Sequence, residues 1–383
     1  MERAWVEVDL GAIARNLMAL RRKLGAKPRI NAVVKANAYG HGAIMTARLL
    51  EAVGADGLAV ATPGEALELR DAGLRCPITL LGPFDAADLP ELAEADIAVT
   101  VIDEERAARV QELAPRLERP LTTHLKINTG MHRFGVAPSR AEALVEALLE
   151  TPGVELASLA THFADAEDPQ QTAEQLRIFD RARARLPSLP IQVANSMGCV
   201  LRDARDDDLV RPGLALYGID PTASRCFAAH GVELSPALKV CSRVVSIRDV
   251  EPGERVGYGG TWRAGRPTRL ALVPIGYGDG WAWRESNQGE ALVAGGRAPI
   301  VGTVMMDCLA LDITDLTVPV ETGAEVVLIG RQGGRRLDAE DLAARIGTIP
   351  YEIPCRLGPR LPRRYIVPAG LKLAGPMFAA EAA

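Results

Sequence analysis

Lys35 stands at the end of an apolar run, Ile30, Ala32, Val33 and Val34, and is followed by Ala36, Asn37, Ala38, Tyr39, Gly40, His41 and Gly42. The run has the pattern of a strand buried on both faces. Desolvation disfavours the charged form of a lysine, and an amine so treated is a nucleophile able to form a Schiff base. The competing account is a lysine that surfaces where its strand ends. Other groups suited to binding anions or moving protons are Lys126 and Arg133 in LKINTGMHRFG, His162 in THFADAED, Asn195-Ser196, and Arg211-Pro212-Gly213-Leu214. Singly, each has a plain structural account. His162 reads as a satisfied core histidine, Arg133 as a surface loop residue and Ser196 as a helix cap.

The elements that must carry these residues alternate. Strand-like runs occur at Ile30–Val34, Gly57–Ala61, Ile78–Leu81, Ile97–Val101, Leu121–Ile127, Leu156–Thr161, Ile191–Ala194 and Leu209–Arg211. Helical patterns lie between most of them, at Ala43–Val53, Gly64–Ala72, Asp103–Leu117, Ser139–Glu150 and Gln170–Leu186. Eight parallel strands with alternating helices, in about 200 residues, are what a (β/α)8 barrel requires. A doubly wound sheet is the alternative, but no G-x-G-x-x-G follows the first strand. Ahead of the barrel, Trp5, Val6 and Val8 alternate with charged residues, and Asp9 is placed to cap a helix over Leu10–Leu24. Beyond residue 230 the runs Ala237–Val250, Leu270–Ile275, Ala291–Val293, Val304–Ile313 and Glu325–Ile329 are strand-like, with helix only at Asp338–Ile346 and Tyr351–Leu357. The expected organisation is an α/β TIM-like barrel over 9–230, followed by a mainly β C-terminal domain over 231–383 that includes 1–8. Residues from Ala374 on read as a frayed end.

Composition narrows the function classes. The 383 residues are 48% hydrophobic, enough for a large core, and carry a net charge of -5. That charge leaves no basic footprint for nucleic acid. No apolar run approaches the roughly 20 residues that cross a bilayer, and the N-terminal residues lack a signal-peptide core. A soluble cytoplasmic protein is expected. The six cysteines form no C-x-x-C pair and sit near no histidine at zinc-ligand spacing, so neither a structural metal nor a disulfide is expected.

In such a barrel the active site lies at the C-terminal ends of the strands. Lys35, Tyr39, Lys126, Arg133, His162, Asn195, Ser196 and Arg211 all fall at that rim, and this shared placement is what favours chemistry over packing. Asn195-Ser196 before a short helix, together with the turn at Gly213 and Leu214, outlines an anion site after strands seven and eight. A reactive lysine at one end and a phosphate anchor at the other are the two attachment points of pyridoxal phosphate. Barrels that bind sugar phosphates share the second of these.

With these residues assembled, the chain resembles the pyridoxal-phosphate-dependent alanine racemases. AVVKANAYGHG, LKINTGMHRFG, THFADAED, ANSMG, RPGLALYG, VGYGGTW, PIGYGDGW and GTVMMD follow in family order over nearly the whole chain. The resemblance implies that Lys35 holds the cofactor covalently. Tyr39, Ser196, the backbone of Gly213 and Leu214, and Tyr351 would hold its phosphate. Arg211 would face the pyridine nitrogen, and His162 would pack beside the ring. Arg133 and the backbone of Met306 would bind the substrate carboxylate, with Tyr277 lining the pocket. Tyr258 would be the second catalytic base, reaching the site from the other subunit of a homodimer. Lys126 matches a lysine that some members carry as a carbamate. Asn128, Trp262 and Thr303 depart from the family's common Asp, Tyr or Phe, and Arg, which bears on the entrance and on substrate range.

The implied function is interconversion of L- and D-alanine by two bases, supplying D-alanine for peptidoglycan. Racemisation removes a proton from one face of the α-carbon and returns one to the other, and one base under a fixed substrate reaches a single face. Tyrosine as a base needs a nearby cation to lower its pKa from about 10, and His162 is the candidate. Alternatives are a broad-specificity, serine or lysine racemase, a basic amino-acid decarboxylase on a related barrel, and a non-catalytic pyridoxal-phosphate carrier.

Overall fold

Strand β1 (Ala4–Asp9) buries Trp5, Val6 and Val8, and its last residue turns a carboxylate onto the Ala12 N–H (2.9 Å). That bond caps the helix Leu10–Leu24, satisfying one of the donors left over at a helix start. The computed structural model describes residues 2–204, 207–371 and 373; the end expected to be frayed lies outside them. Two compact units result. One takes the chain up to Ala12, Tyr39–His41 and Ser235–Ala369; the other is mainly Ile13–Ala38 and Gly42–Leu234.

The second unit is the barrel. Strands β2 (Arg29–Val33), β3 (Gly57–Val60), β4 (Ile78–Leu80), β5 (Ile97–Val101), β6 (Leu121–Lys126), β7 (Val154–Ala160), β8 (Ile191–Asn195) and β9 (Leu209–Arg211) pair in parallel and in chain order, and β9 closes onto β2. Helices Ala43–Ala52, Pro63–Asp71, Leu89–Glu94, Glu104–Leu113, Ala141–Glu150 and Pro169–Arg183 fill the crossovers. Residues on both faces of the strands are covered, which is why the strands read as nearly continuous apolar runs. The exceptions are informative. Asn31, Thr79, His124, Ser158 and Gln192 are buried polar residues on these strands. Asn31 Nδ2 donates to Thr79 Oγ1 (3.0 Å), and Ser158 Oγ accepts from Gln192 Nε2 (2.7 Å) and lies 2.8 Å from His124 Nδ1. Mutual bonding offsets the desolvation that burial imposes on such groups.

The other unit is mainly β. Strands β10 (Leu238–Arg243), β11 (Ser246–Val250), β12 (Arg255–Val256), β13 (Trp262–Arg263), β14 (Thr268–Val273), β15 (Glu290–Val293), β16 (Gly296–Pro299), β17 (Leu309–Asp312), β18 (Glu325–Gln332), β19 (Arg335–Leu337) and β20 (Arg363–Ile366) make up its sheets. The largest runs β16-β15-β18-β10-β1-β20, with β19 paired to β18. The extended N-terminal segment lies inside this sheet, antiparallel to β10 and parallel to β20. Trp5, Cys241, Leu292, Val327 and Leu337 form a buried cluster there.

Several sequence expectations shift. The strand-like stretch Ala237–Val250 holds two strands, because the chain changes sheets at Val244–Val245: the Val244 N–H donates to the Ala324 carbonyl beside β18, and the Val245 N–H donates to the Leu272 carbonyl of β14. Of Val304–Ile313 only Leu309–Asp312 is strand. Met305 N–H bonds Cys308 C=O, closing a tight loop that apolar content alone disguised. The helix Leu89–Glu94 and strands β16, β19 and β20 are additions, short or rich in charge and therefore weak in periodicity.

Candidate active site

β2 runs buried through Val33 and delivers Lys35 half-buried just past its end. The backbone beyond Lys35 takes an unusual path. Ala36, Asn37, Ala38 and Tyr39 take φ of 52, 54, 52 and 52°, one turn of left-handed backbone without a glycine. Each such residue costs roughly 1–2 kcal/mol. Side chains hold the turn in place. Glu65 accepts from the N–H groups of Ala36 (2.6 Å), Ala61 (2.8 Å) and Thr62 (3.2 Å), and Asn37 Oδ1 accepts from Ala43 N–H (2.8 Å). Backbone strain concentrated beside a reactive group is characteristic of functional sites. Neither Glu65 nor the turn was legible in the sequence, although a Thr-x-x-Glu capping box at Thr62–Glu65 was there to find.

The barrel brings Lys35, Lys126, Arg133, His162 and Arg211 close enough to repel one another. Burial, then Arg211, Arg133 and Lys35, pull the Lys126 amine down to about 7. Burial, Arg211, Lys126, Arg133 and Lys35 hold the His162 imidazole well below its ordinary range. That direction runs against His162 serving as the cation expected to lower a tyrosine pKa. Burial lowers Arg211 to about 10, with Asp207 and Cys199 opposing, so it stays charged at neutral pH. Among the described residues no carboxylate opposes the shifts of Lys126 or His162. Phe134 lies between two of these cations, its ring centroid 5.7 Å from Lys126 Nζ and 5.7 Å from the Arg133 guanidinium carbon.

Arg211 is aimed by its neighbours. Its Nη1 donates to Gln192 Oε1 (2.9 Å), and its Nη2 donates to the Thr161 (2.7 Å) and Val193 (3.4 Å) carbonyls. Gln192 in turn bonds Ser158 (2.7 Å). The signal for Gln192 and Ser158 was their polarity inside apolar strands, which sequence reasoning passed over.

Loops after β8 and β9 carry the residues expected to bind an anion. Asn195 Oδ1, rather than Ser196, caps the helix Ser196–Leu201 by accepting from Gly198 N–H (2.8 Å). Ser196 Oγ, 4% exposed, accepts instead from Gly213 N–H (2.8 Å) and Ala215 N–H (3.3 Å), tying the two loops together. The buried Leu214 N–H, at the start of a 3₁₀ turn, has no acceptor among the described residues. A cation-rich rim with one unbonded buried N–H at its end fits a phosphate-bearing anion.

Within the other unit, Tyr39 is buried, and burial with Tyr351 and then Cys355 raises its phenol far above the ordinary value. Gly40 must be glycine. A Cβ there would stand 2.0 Å from the Pro354 carbonyl oxygen. Tyr258, Tyr277 and Met306 lie on loops of this unit and are 74%, 45% and 52% exposed. Tyr277 N–H and Gly278 N–H donate to the Met305 (3.0 Å) and Met306 (2.9 Å) carbonyls, setting Tyr277 beside the Met306 loop.

A barrel with a lysine after its first strand and buried, partly unbonded backbone N–H groups after its last is the frame of a barrel-type pyridoxal-phosphate enzyme. The family models for the alanine racemase N-terminal and C-terminal domains match residues 8–221 and 237–365. The chain is 41% identical to an alanine racemase of Sorangium cellulosum, across 94% of this chain and 98% of that one. Its fold matches an alanine racemase of E. faecalis with a TM-score of 0.90 at 33% identity, over 95% of this chain and 98% of that one. It also matches one of Bartonella henselae with covalently bound pyridoxal phosphate, TM-score 0.85 at 33% identity, over 96% and 100%. The chain belongs to the alanine racemase family, whose members are pyridoxal-phosphate-dependent isomerases.

Proposed function

We propose that this enzyme interconverts L- and D-alanine, with Lys35 serving one face of the substrate and Tyr258 from a second copy of the chain serving the other. The observation that carries the reading is the gathering of Lys35, Lys126, Arg133, His162 and Arg211 with no carboxylate among the described residues opposing the shifts of Lys126 and His162. Such a site demands an anionic cofactor and an anionic substrate. Bound pyridoxal phosphate supplies an electron sink that makes the α-proton removable.

Lys35 holds the cofactor and exchanges a proton at its Nζ; Tyr258 exchanges the other at its phenolic oxygen. Each has to lie about 3 Å from the proton it handles. Ser196, Gly213, Leu214, Tyr39 and Tyr351 would hold the phosphate, and His162 would lie beside the ring. Arg133 and the Met306 backbone bind the carboxylate, with Tyr277 lining the pocket. Arg211 would stand at the cofactor's ring nitrogen and, still charged near neutrality, would keep its proton there. A homodimer is supported by the large exposed side chains of Tyr258, Tyr277, Trp283 and Met306 on one unit, apolar surface that a second copy would cover. Among the described residues no helix is long and apolar enough to cross a membrane. A cytoplasmic enzyme supplying D-alanine to peptidoglycan is the cellular role we assign.

The test is formation of D-amino acid from a panel of L-amino acids by purified enzyme loaded with pyridoxal phosphate. Alanine should be turned over fastest. Faster turnover of serine or lysine would reassign the substrate, and no racemisation of any would overturn the reading.

Lys126 is proposed to be carried as a carbamate. Its pKa is depressed, so the ammonium prevails below about pH 7 and the carbon-dioxide-reactive amine above it. The adduct exchanges a positive charge for a negative one beside Arg133. With ¹³C-bicarbonate, a carbamate resonance should grow as the pH rises through about 7 and be missing from Lys126→Ala. A spectrum without any Lys126-dependent signal would exclude the modification.

A further inference from the structure

Tyr258 sits on a chain segment with little stiffness of its own. Gly257, Gly259 and Gly260 surround it with φ of 71, 72 and 53°. Glycines permit that path but surrender more entropy on ordering than any other residue. A base that must stay within a few tenths of an ångström of its proton needs this loop held from outside.

The holding contacts form a directed line. Thr303 Oγ1 donates to the Tyr258 carbonyl (2.9 Å), so its own oxygen is left to accept. Thr261 Oγ1 lies 3.2 Å away and must be the donor to it. Thr261 Oγ1 in turn accepts from Asn287 Nδ2 (3.0 Å). The amide of Asn287 thus sets the orientation of both hydroxyls, and hydrogen bonds in series polarise one another. Thr303 is itself fixed on both sides. Asn287 Oδ1 accepts from Gly302 N–H (2.7 Å), and Ser286 Oγ accepts from Val304 N–H (2.9 Å). Asn287 has φ 59°, a conformation that asparagine tolerates better than most side chains. Every member lies in the C-terminal unit.

We infer that Asn287, Thr261 and Thr303 form a clamp that positions Tyr258 for proton transfer. They are positioning residues, and Thr303 acts here through its hydroxyl. The inference rests on the proposed role of Tyr258 as one of two bases.

The test compares exchange of the α-hydrogen with solvent deuterium, starting from L- and from D-alanine, in holoenzyme carrying Thr303→Val, Thr303→Ser, Asn287→Gly or Tyr258→Phe. Thr303→Val replaces the hydroxyl with a methyl group; Asn287→Gly removes the amide while tolerating positive φ. Both should slow exchange from the enantiomer that Tyr258→Phe affects more, by about three- to tenfold, the worth of one such hydrogen bond. Thr303→Ser should restore the wild-type ratio. In the substrate-free protein, backbone amides of residues 257–261 should exchange faster in Thr303→Val and Asn287→Gly. Equal slowing from both enantiomers, or unchanged amide exchange, overturns the clamp. If Tyr258→Phe itself shows no enantiomer preference, the two-base reading fails, and amide exchange alone still decides whether the clamp exists.

Discussion

Lys35→Ala is expected to lose the absorbance of covalently bound cofactor and to lower racemisation by at least about 10⁴-fold, the upper range for a positioned acid–base group. The size of the loss reflects two roles falling on one amine, attachment of the cofactor and proton exchange on one face. Lys35 is reached through a buried strand and followed by a strained left-handed turn, which fix the place of its amine. Lys126 is the nearest rival in kind, an amine lowered to about 7. It ends a different strand, β6. Borohydride reduction and then peptide mapping should label Lys35 in the wild type and no lysine in the variant. Added small primary amines should restore a fraction of turnover if the backbone is intact. Wild-type rates in a purified Lys35→Ala protein would overthrow the assignment.

Tyr258→Phe carries the next largest expected effect. The phenylalanine ring preserves the apolar contact area and removes only the hydroxyl. Exchange of the α-hydrogen from one enantiomer should fall by about 10²–10⁴-fold, and from the other far less. Equal losses would favour a single-base scheme or a packing role. Sharing of the site between subunits has its own readout. Mixed dimers of Lys35→Ala and Tyr258→Phe chains would each contain one site with both bases intact. Mixing the two nearly inactive proteins under exchange conditions should then recover about one quarter of wild-type activity, as half the dimers are mixed and half their sites are whole. No recovery, with exchange verified by mass, would place Tyr258 in the site of its own chain.

Much of the architecture was legible because barrel strands are covered on both faces and so read as short apolar runs between helical patterns. Leu209–Arg211, the weakest of the eight runs, is a strand that closes the barrel against β2. The C-terminal unit was harder. Its strands are short and edged by tight loops, and Met305–Cys308 shows how an apolar stretch there can be loop rather than strand. Around the candidate site, residue types at strand ends pointed to Lys35, Lys126, His162 and Arg211. The residues supporting them, Glu65, Ser158 and Gln192, escaped notice. Their partners lie 29 residues away for Glu65 and Ala36, and 34 for Ser158 and Gln192.

The order of residue types along the chain by itself determined the barrel, the lysine at the end of its first strand and the family. These depend on periodicity and local spacing, which a sequence states directly. Tertiary structure alone decided the left-handed turn after Lys35, the lowered pKa of His162, the near-neutral pKa of Lys126 and the seat of Thr303 against the Tyr258 carbonyl. Each of these is set by burial, mutual charge or bonding among groups that only folding brings together, and none of that is written in any one stretch of the chain.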